Sequence, residues 1–156
     1  MPITFHALPS DLVAAFRAGR PDANGLPPER SLSNGAGNPC RHCLKDIPEG
    51  VPMLILAYRP FADLHPYAEL GPIFLCADGC ERHPDTGAPP KMLTRRPANL
   101  IKGYGADNRI VYGTGKIVPA DETAAYCAEV LARRGVAYLH ARSWVNNCYF
   151  LRVDRA

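Results

Sequence analysis

The sequence predicts an α+β fold: one compact domain with a mixed or antiparallel sheet and two main helices. Three observations carry this. Strand-like and helix-like segments follow one another without the regular alternation of a doubly wound parallel sheet. Two apolar runs of strand length, Val51–Tyr58 and Pro72–Ala77, lie close together with Pro- and Gly-containing sequence between them. The last third holds an amphipathic helical pattern followed by two strand-like runs around Asn146-Asn147. The length of 156 residues fits one domain spanning 1–156. A chain of that size buries roughly 70% of its unfolded surface, and 47% hydrophobic residues argue against global disorder.

Taken in order, Ile3–His6 is a short strand. Ser10 is placed to cap a helix over Asp11–Ala18, with Leu12, Ala15 and Phe16 at helical spacing and Gly19 as its stop. Residues 19–39 are rich in Gly, Pro, Asn and Ser and read as a long loop. Val51–Tyr58 and Pro72–Ala77 read as buried strands, and 78–98 as loop. Arg109–Tyr112 is predicted as a third short strand that Gly113-Thr-Gly115 ends. Asp121–Arg134 is the clearest helix. Its acids sit at the N-terminal end and Arg133-Arg134 at the C-terminal end, as the macrodipole favours. Ala124, Cys127, Ala128 and Leu131 form its predicted apolar stripe. Val136–Arg142 and Cys148–Val153 form a hairpin whose Asn-Asn turn tolerates positive φ.

The longest apolar run, Val51–Tyr58, falls far short of the about 20 residues of a spanning helix, so no membrane partner is expected. Met1-Pro-Ile-Thr-Phe-His6 lacks the basic start and apolar centre of a signal peptide. A cytoplasmic location follows, and there six cysteines are more naturally thiols or metal ligands than disulfides. Net charge is +3, unevenly spread: residues 40–90 carry four basic and seven acidic groups, while 91–116 carry six basic groups against Asp107 alone. No dinucleotide fingerprint, phosphate loop, HExxH or GxSxG motif is present.

The cysteines form the most informative pattern. Cys40-Arg-His-Cys43 is followed, with 32 residues between the pairs, by Cys76-Ala-Asp-Gly-Cys80. Two closely spaced pairs can deliver four thiolates to one tetrahedral zinc. The segment Pro39–Gly50 is similar to the zinc knuckles of ribbon and treble-clef modules. Zinc with four thiolates carries −2, which Arg41, Lys45 and Arg82 are close enough in sequence to offset. His42 or His83 could replace one cysteine. Such a closed site would be structural. Inert buried thiols, a Cys40–Cys43 redox pair and a cysteine–histidine nucleophile are the competing readings. Pro48, Gly50 and Pro52 leave little room for the helix a redox pair usually heads. Cys127 and Cys148 read as core residues.

Other residues suggest chemistry less specifically. His65, Tyr67 and Glu69 lie in a polar loop between two buried strands, where a general acid or base could sit. His140, Arg142, Trp144 and Asn146 alternate along the hairpin, and with Arg95 and Arg109 some of them could bind an anion. The basic stretch Lys91–Lys116 includes Tyr104 and Tyr112, a combination that can hold phosphates and stack bases.

Pro39-Cys-Arg-His-Cys-Leu44, Leu56-Ala-Tyr-Arg-Pro-Phe61, Pro66-Tyr-Ala-Glu69, Gly71-Pro-Ile-Phe-Leu75, Cys80, Arg109–Gly115 and Arg142-Ser-Trp-Val-Asn-Asn-Cys-Tyr149 resemble the bacterial family catalogued as domain of unknown function 1203. The resemblance spans nearly the whole chain and implies one domain in a bacterial cytosol. It also implies that His often stands at the position of Cys76, which would suit three cysteines and one histidine. It carries no activity and no catalytic residues.

Three functions are therefore in view. The first is a zinc-stabilised binding or interaction domain. The second is a small enzyme for an anionic or phosphorylated metabolite, using His65, Tyr67, Glu69, Arg95, Arg109, His140 and Arg142. The third is a nucleic-acid-binding module built on Lys91–Lys116.

Overall fold

The computed structural model describes all residues, Met1–Ala156. Its elements are β1 (Ile3–His6), α1 (Ser10–Arg17), β2 (Glu29–Leu32), β3 (Pro52–Tyr58), β4 (Gly71–Cys76), α2 (Lys91–Thr94), β5 (Ala98–Tyr104), β6 (Lys116–Pro119), α3 (Thr123–Leu131), β7 (Tyr138–Ser143) and β8 (Tyr149–Arg155). The strands form a five-stranded sheet in the order β1-β8-β7-β5-β6 and a three-stranded sheet in the order β2-β3-β4. Every strand pairing is antiparallel, so the α+β prediction holds in its antiparallel form. No helix is long and apolar enough to cross a membrane.

Strand alternation gives the larger sheet two unlike faces. Leu139 and Ala141 of β7 join Phe5, Ile101, Leu151 and Val153 in a core that α3 covers with Cys127, Val130 and Leu131. Alternating with them on β7, His140 and Arg142 face the other way. There Tyr104 stacks on Tyr138, with centroids 5.3 Å apart and planes 14° off parallel, and Phe61 packs against Tyr104 and His140. A second core lies between α1 and the smaller sheet. It joins Val13 and Phe16 to Met53, Leu56, Ile73 and Leu75, with Cys40 and Cys43 at its margin.

Several predicted elements need correction. Arg109–Tyr112 is not a strand: Ile110 makes only an isolated bridge to Tyr104. The strands there are β5 and β6. β5 was hidden because its inward positions include Asn99 and Gly103, which carry no apolar signal. Asn99 is nonetheless fully buried, donating to the Leu93 carbonyl and the Thr123 hydroxyl. Segment 19–39 contains β2, whose four residues are all exposed and so show no pattern. Segment 78–98 contains the single turn of α2.

The last helix starts later than predicted. Asp121 and Glu122 belong to a 3-10 turn after Pro119, and the buried stripe is Thr123, Tyr126, Cys127, Val130 and Leu131. Ala124 and Ala128 sit only at its edge. Ser10 opens α1 rather than capping it, and Pro9 holds the cap position. The C-terminal hairpin forms as predicted, with Asn147 at φ 60° in its turn. Cys127 is fully buried, whereas Cys148 is half-exposed at the entrance to β8 and outside the cores.

Gly103 shows how tightly β5 is held. A Cβ there would lie 2.9 Å from Thr114 Oγ1 and 3.0 Å from its Cβ. Thr114 is buried, and its hydroxyl accepts from the Gly103 N–H at 2.9 Å and donates to the Val111 carbonyl. Gly103→Ala should therefore destabilise by about 1–3 kcal/mol through overpacking, read as a lower midpoint in denaturant unfolding with an unchanged slope.

Candidate metal centre

Two segments deliver the four cysteines to one point. Cys40 and Cys43 flank a tight turn in which the Cys40 N–H donates to the Lys45 carbonyl and the Leu44 N–H to the Cys40 carbonyl. Leu44 takes a left-handed conformation, φ 57°, which lets the chain reverse without a glycine. Cys40 is also bridged in parallel to Phe74 of β4. That bridge sets the first pair beside Cys76 at the end of β4. Gly79, φ 118°, then turns the chain so that Cys80 folds back. The four Sγ atoms all lie within 4.8 Å of one another. Cys40 and Cys80 approach to 3.8 Å and Cys43 and Cys76 to 4.0 Å, far beyond the ~2.05 Å of a disulfide. The two pairs, with 32 residues between them in sequence, thus meet in space, and together they could hold a metal ion.

The surroundings favour thiolates. The backbone N–H groups of His42 and Cys76 both point at Cys40 Sγ, at 3.4 Å each. Cys80 Sγ accepts from Arg17 Nη2 at 3.2 Å and lies 3.1 Å from His42 Nδ1. The other ring nitrogen of His42 is 2.9 Å from the Ser10 hydroxyl. Held by protons alone, the cluster divides its charge. Hydrogen bonding from Cys43 pulls the Cys40 thiol down to about 6, and bonding from Cys40 pulls Cys80 lower still. Cys43 and Cys76 are pushed up, first by their hydrogen bonds with Cys40.

The groups expected to offset the charge are placed differently from the sequence-based expectation. Arg17, on α1, is the cation that reaches a sulfur, and no sequence spacing links it to Cys80. Arg41 is buried but directs its guanidinium to the Tyr149 and Pro39 carbonyls. Arg82 donates to the carbonyls of Ala7 and Leu8, and Lys45 is exposed. His42 is a hydrogen-bond partner of the cluster, and His83 turns its Nδ1 to the Pro84 carbonyl.

The remaining candidates divide into groups. Arg142 and His140 meet, with Arg142 Nη2 donating to His140 Nδ1 at 3.1 Å. Arg142 and Lys102 both reach Glu69 Oε1, at 3.1 Å each. Tyr67 pairs its hydroxyl with that of Tyr112, and Arg109 lies over the Tyr67 ring. His65 packs on Phe61 with its Nε2 buried and unpartnered. Arg95 is exposed at the end of α2 and makes no ion pair or side-chain hydrogen bond. Trp144 stands exposed in the hairpin turn. The cations of Lys91–Lys116 are spread over separate partners: Arg96 on Phe150, Lys102 on Glu69 and Lys116 on Tyr126.

Fold and cluster together define a small antiparallel α+β protein with a four-cysteine centre able to hold a metal ion. A profile of the family described as protein of unknown function (DUF1203) matches residues 37–155, and the chain belongs to that family. No curated protein and no solved structure matches it.

Proposed function

We propose that this protein is a zinc-stabilised binding domain of the bacterial cytoplasm, in which Cys40, Cys43, Cys76 and Cys80 hold one structural zinc. The convergence of the four sulfurs within 4.8 Å carries the reading. With Zn–S bonds of about 2.3 Å, the edge of a tetrahedron is about 3.8 Å, close to the shorter separations between these sulfurs. Four protein ligands leave no open position for a substrate, so the metal's work is to hold the fold. Free thiols throughout suit a reducing compartment. Cys40 and Cys43 flank a turn rather than heading a helix, which weighs against a redox pair.

Elemental analysis of untagged protein, with native thiol titration, tests this. One equivalent of zinc is expected, with Cys148 reacting first and the four cluster thiols protected. Iron in place of zinc, or four reactive cluster thiols without metal, would overturn the assignment. Arg17→Gln should weaken zinc retention about 10- to 100-fold, the usual cost of losing a group that supports a ligand. Competition with a chromophoric chelator measures it.

A further inference from the structure

A cleft of about 740 Å³ lies on the side of the five-stranded sheet away from α3. Its floor is His140, Tyr149 and Arg152. Its walls are α1, with Leu12 and Phe16, the 20–23 turn, and the loop 59–64 with Phe61. None of the four clustered cysteines lines it. A volume of this size suits a small organic molecule.

The polar groups in the cleft share one character. Arg142 can only donate, so the nitrogen it meets, His140 Nδ1 at 3.1 Å, must accept. The hydrogen of the neutral ring therefore sits on Nε2, which has no partner in the protein. Burial, with Arg142, Arg152 and Lys102 nearby, keeps that ring neutral. Burial also raises the pKa of the Tyr58 and Tyr149 hydroxyls, which keep their protons and have no protein partner.

The charges divide in the same sense. Arg82 is held by Asp85, and Arg152 by Asp154. His6 lies between those same two aspartates. Asp22 is occupied by the N–H groups of Asn24, Leu26 and Ala57. Arg59 spends only its Nε, on the Ala68 carbonyl, and Arg20 lies over the Phe16 ring. Neither has an acidic partner. Asp63 is the one lining carboxylate without a partner. What remains free is two guanidiniums, one imidazole N–H and two phenols, against one exposed carboxylate.

We propose that this cleft binds a small organic anion. Its carboxylate or phosphate meets Arg20 and Arg59, its acceptor atoms meet His140 Nε2–H, Tyr58 and Tyr149, and its planar apolar body packs between Phe16 and Phe61. These donors line the cleft without a protein acceptor, and an acceptor-rich ligand satisfies them together.

The test is NMR titration of the intact protein with benzoate, phenyl phosphate and benzylamine, probes of similar bulk and different charge. One or both anions should give saturable shifts at His140 Nε2–H and at the Tyr58 and Tyr149 rings, and the stronger anion identifies the headgroup. Arg20→Gln and Arg59→Gln should each weaken that binding about tenfold or more, and Tyr58→Phe by a smaller factor, with the remaining amide spectrum intact. Absence of saturable shifts from both anions would overturn the proposal. So would benzylamine binding equally well, or anion binding indifferent to all three substitutions. The readout is local to the cleft, so failure here leaves the zinc reading standing, and loss of zinc would register separately in the metal analysis.

Discussion

Cys43→Ser should abolish cooperative folding at ambient temperature, and stripping the metal with a strong chelator should do the same to the unaltered protein. Structural zinc contributes an apparent 10–16 kcal/mol or so in small zinc-binding peptides, while a whole domain's net stability is about 5–15 kcal/mol. If the cluster holds zinc as proposed, little margin remains once it is lost. The local structure agrees. The Cys40–Cys43 turn has two backbone hydrogen bonds of its own, bridges from Cys40 to Phe74 and from Pro39 to Asp46, and one backbone hydrogen bond each from Leu8 and His83; only a short turn at Gly79 joins Cys76 to Cys80. Circular dichroism and thermal unfolding, with and without chelator, measure the effect. An unchanged Tm in both experiments would remove the metal from the account of stability.

The second large effect is expected at Arg41. Its side chain is 2% exposed, with Nε donating to the Tyr149 carbonyl at 2.7 Å and Nη1 to the Pro39 carbonyl at 2.6 Å. The guanidinium lies over the rings of Phe74 and Phe150. No carboxylate pairs with it, and burial lowers its pKa to about 10, so it stays charged at neutral pH. Arg41→Ala strands two carbonyls, each costing about 1–3 kcal/mol, and leaves a hole between the two cores. A loss of about 2–6 kcal/mol follows, measured by urea unfolding of the zinc-loaded protein. A loss under 1 kcal/mol would mean that water replaces the guanidinium.

The sequence spoke most clearly where chemistry is local. The two cysteine pairs, the apolar runs of β3 and β4, and the Asn146-Asn147 hairpin were all legible from spacing and residue type. Elements defined by distant partners were not. β2 is four exposed residues that become a strand only because Pro52–Ile55 offers them a ladder. β5 places Asn99 inward, and its burial makes sense only when Leu93 and Thr123 are in position. Arg17 reaches Cys80 across 63 residues, a relation that no local pattern records. Among the anion-binding candidates, alternation along one strand correctly grouped His140 with Arg142. Arg95 and Arg109 were joined to them by charge alone, and they stand elsewhere.

The pairing of β1 with β8 has a consequence for biosynthesis. Ile3 lies opposite Arg155, and Phe5 opposite Val153, so β1 finds its main partner about 150 residues further along the chain, in β8. Until then β1 has only the isolated bridge from Phe5 to Thr86. The smaller sheet and all four clustered cysteines lie between residues 29 and 80 and leave the ribosome much earlier. The four cysteines can thus gather early in translation, whereas the large sheet can close only once residues 149–155 have emerged, and with it the floor of the cleft. A nascent chain halted before β8 would carry all four cysteines with Arg41 lacking its Tyr149 partner, and an unpaired, aggregation-prone β7 edge.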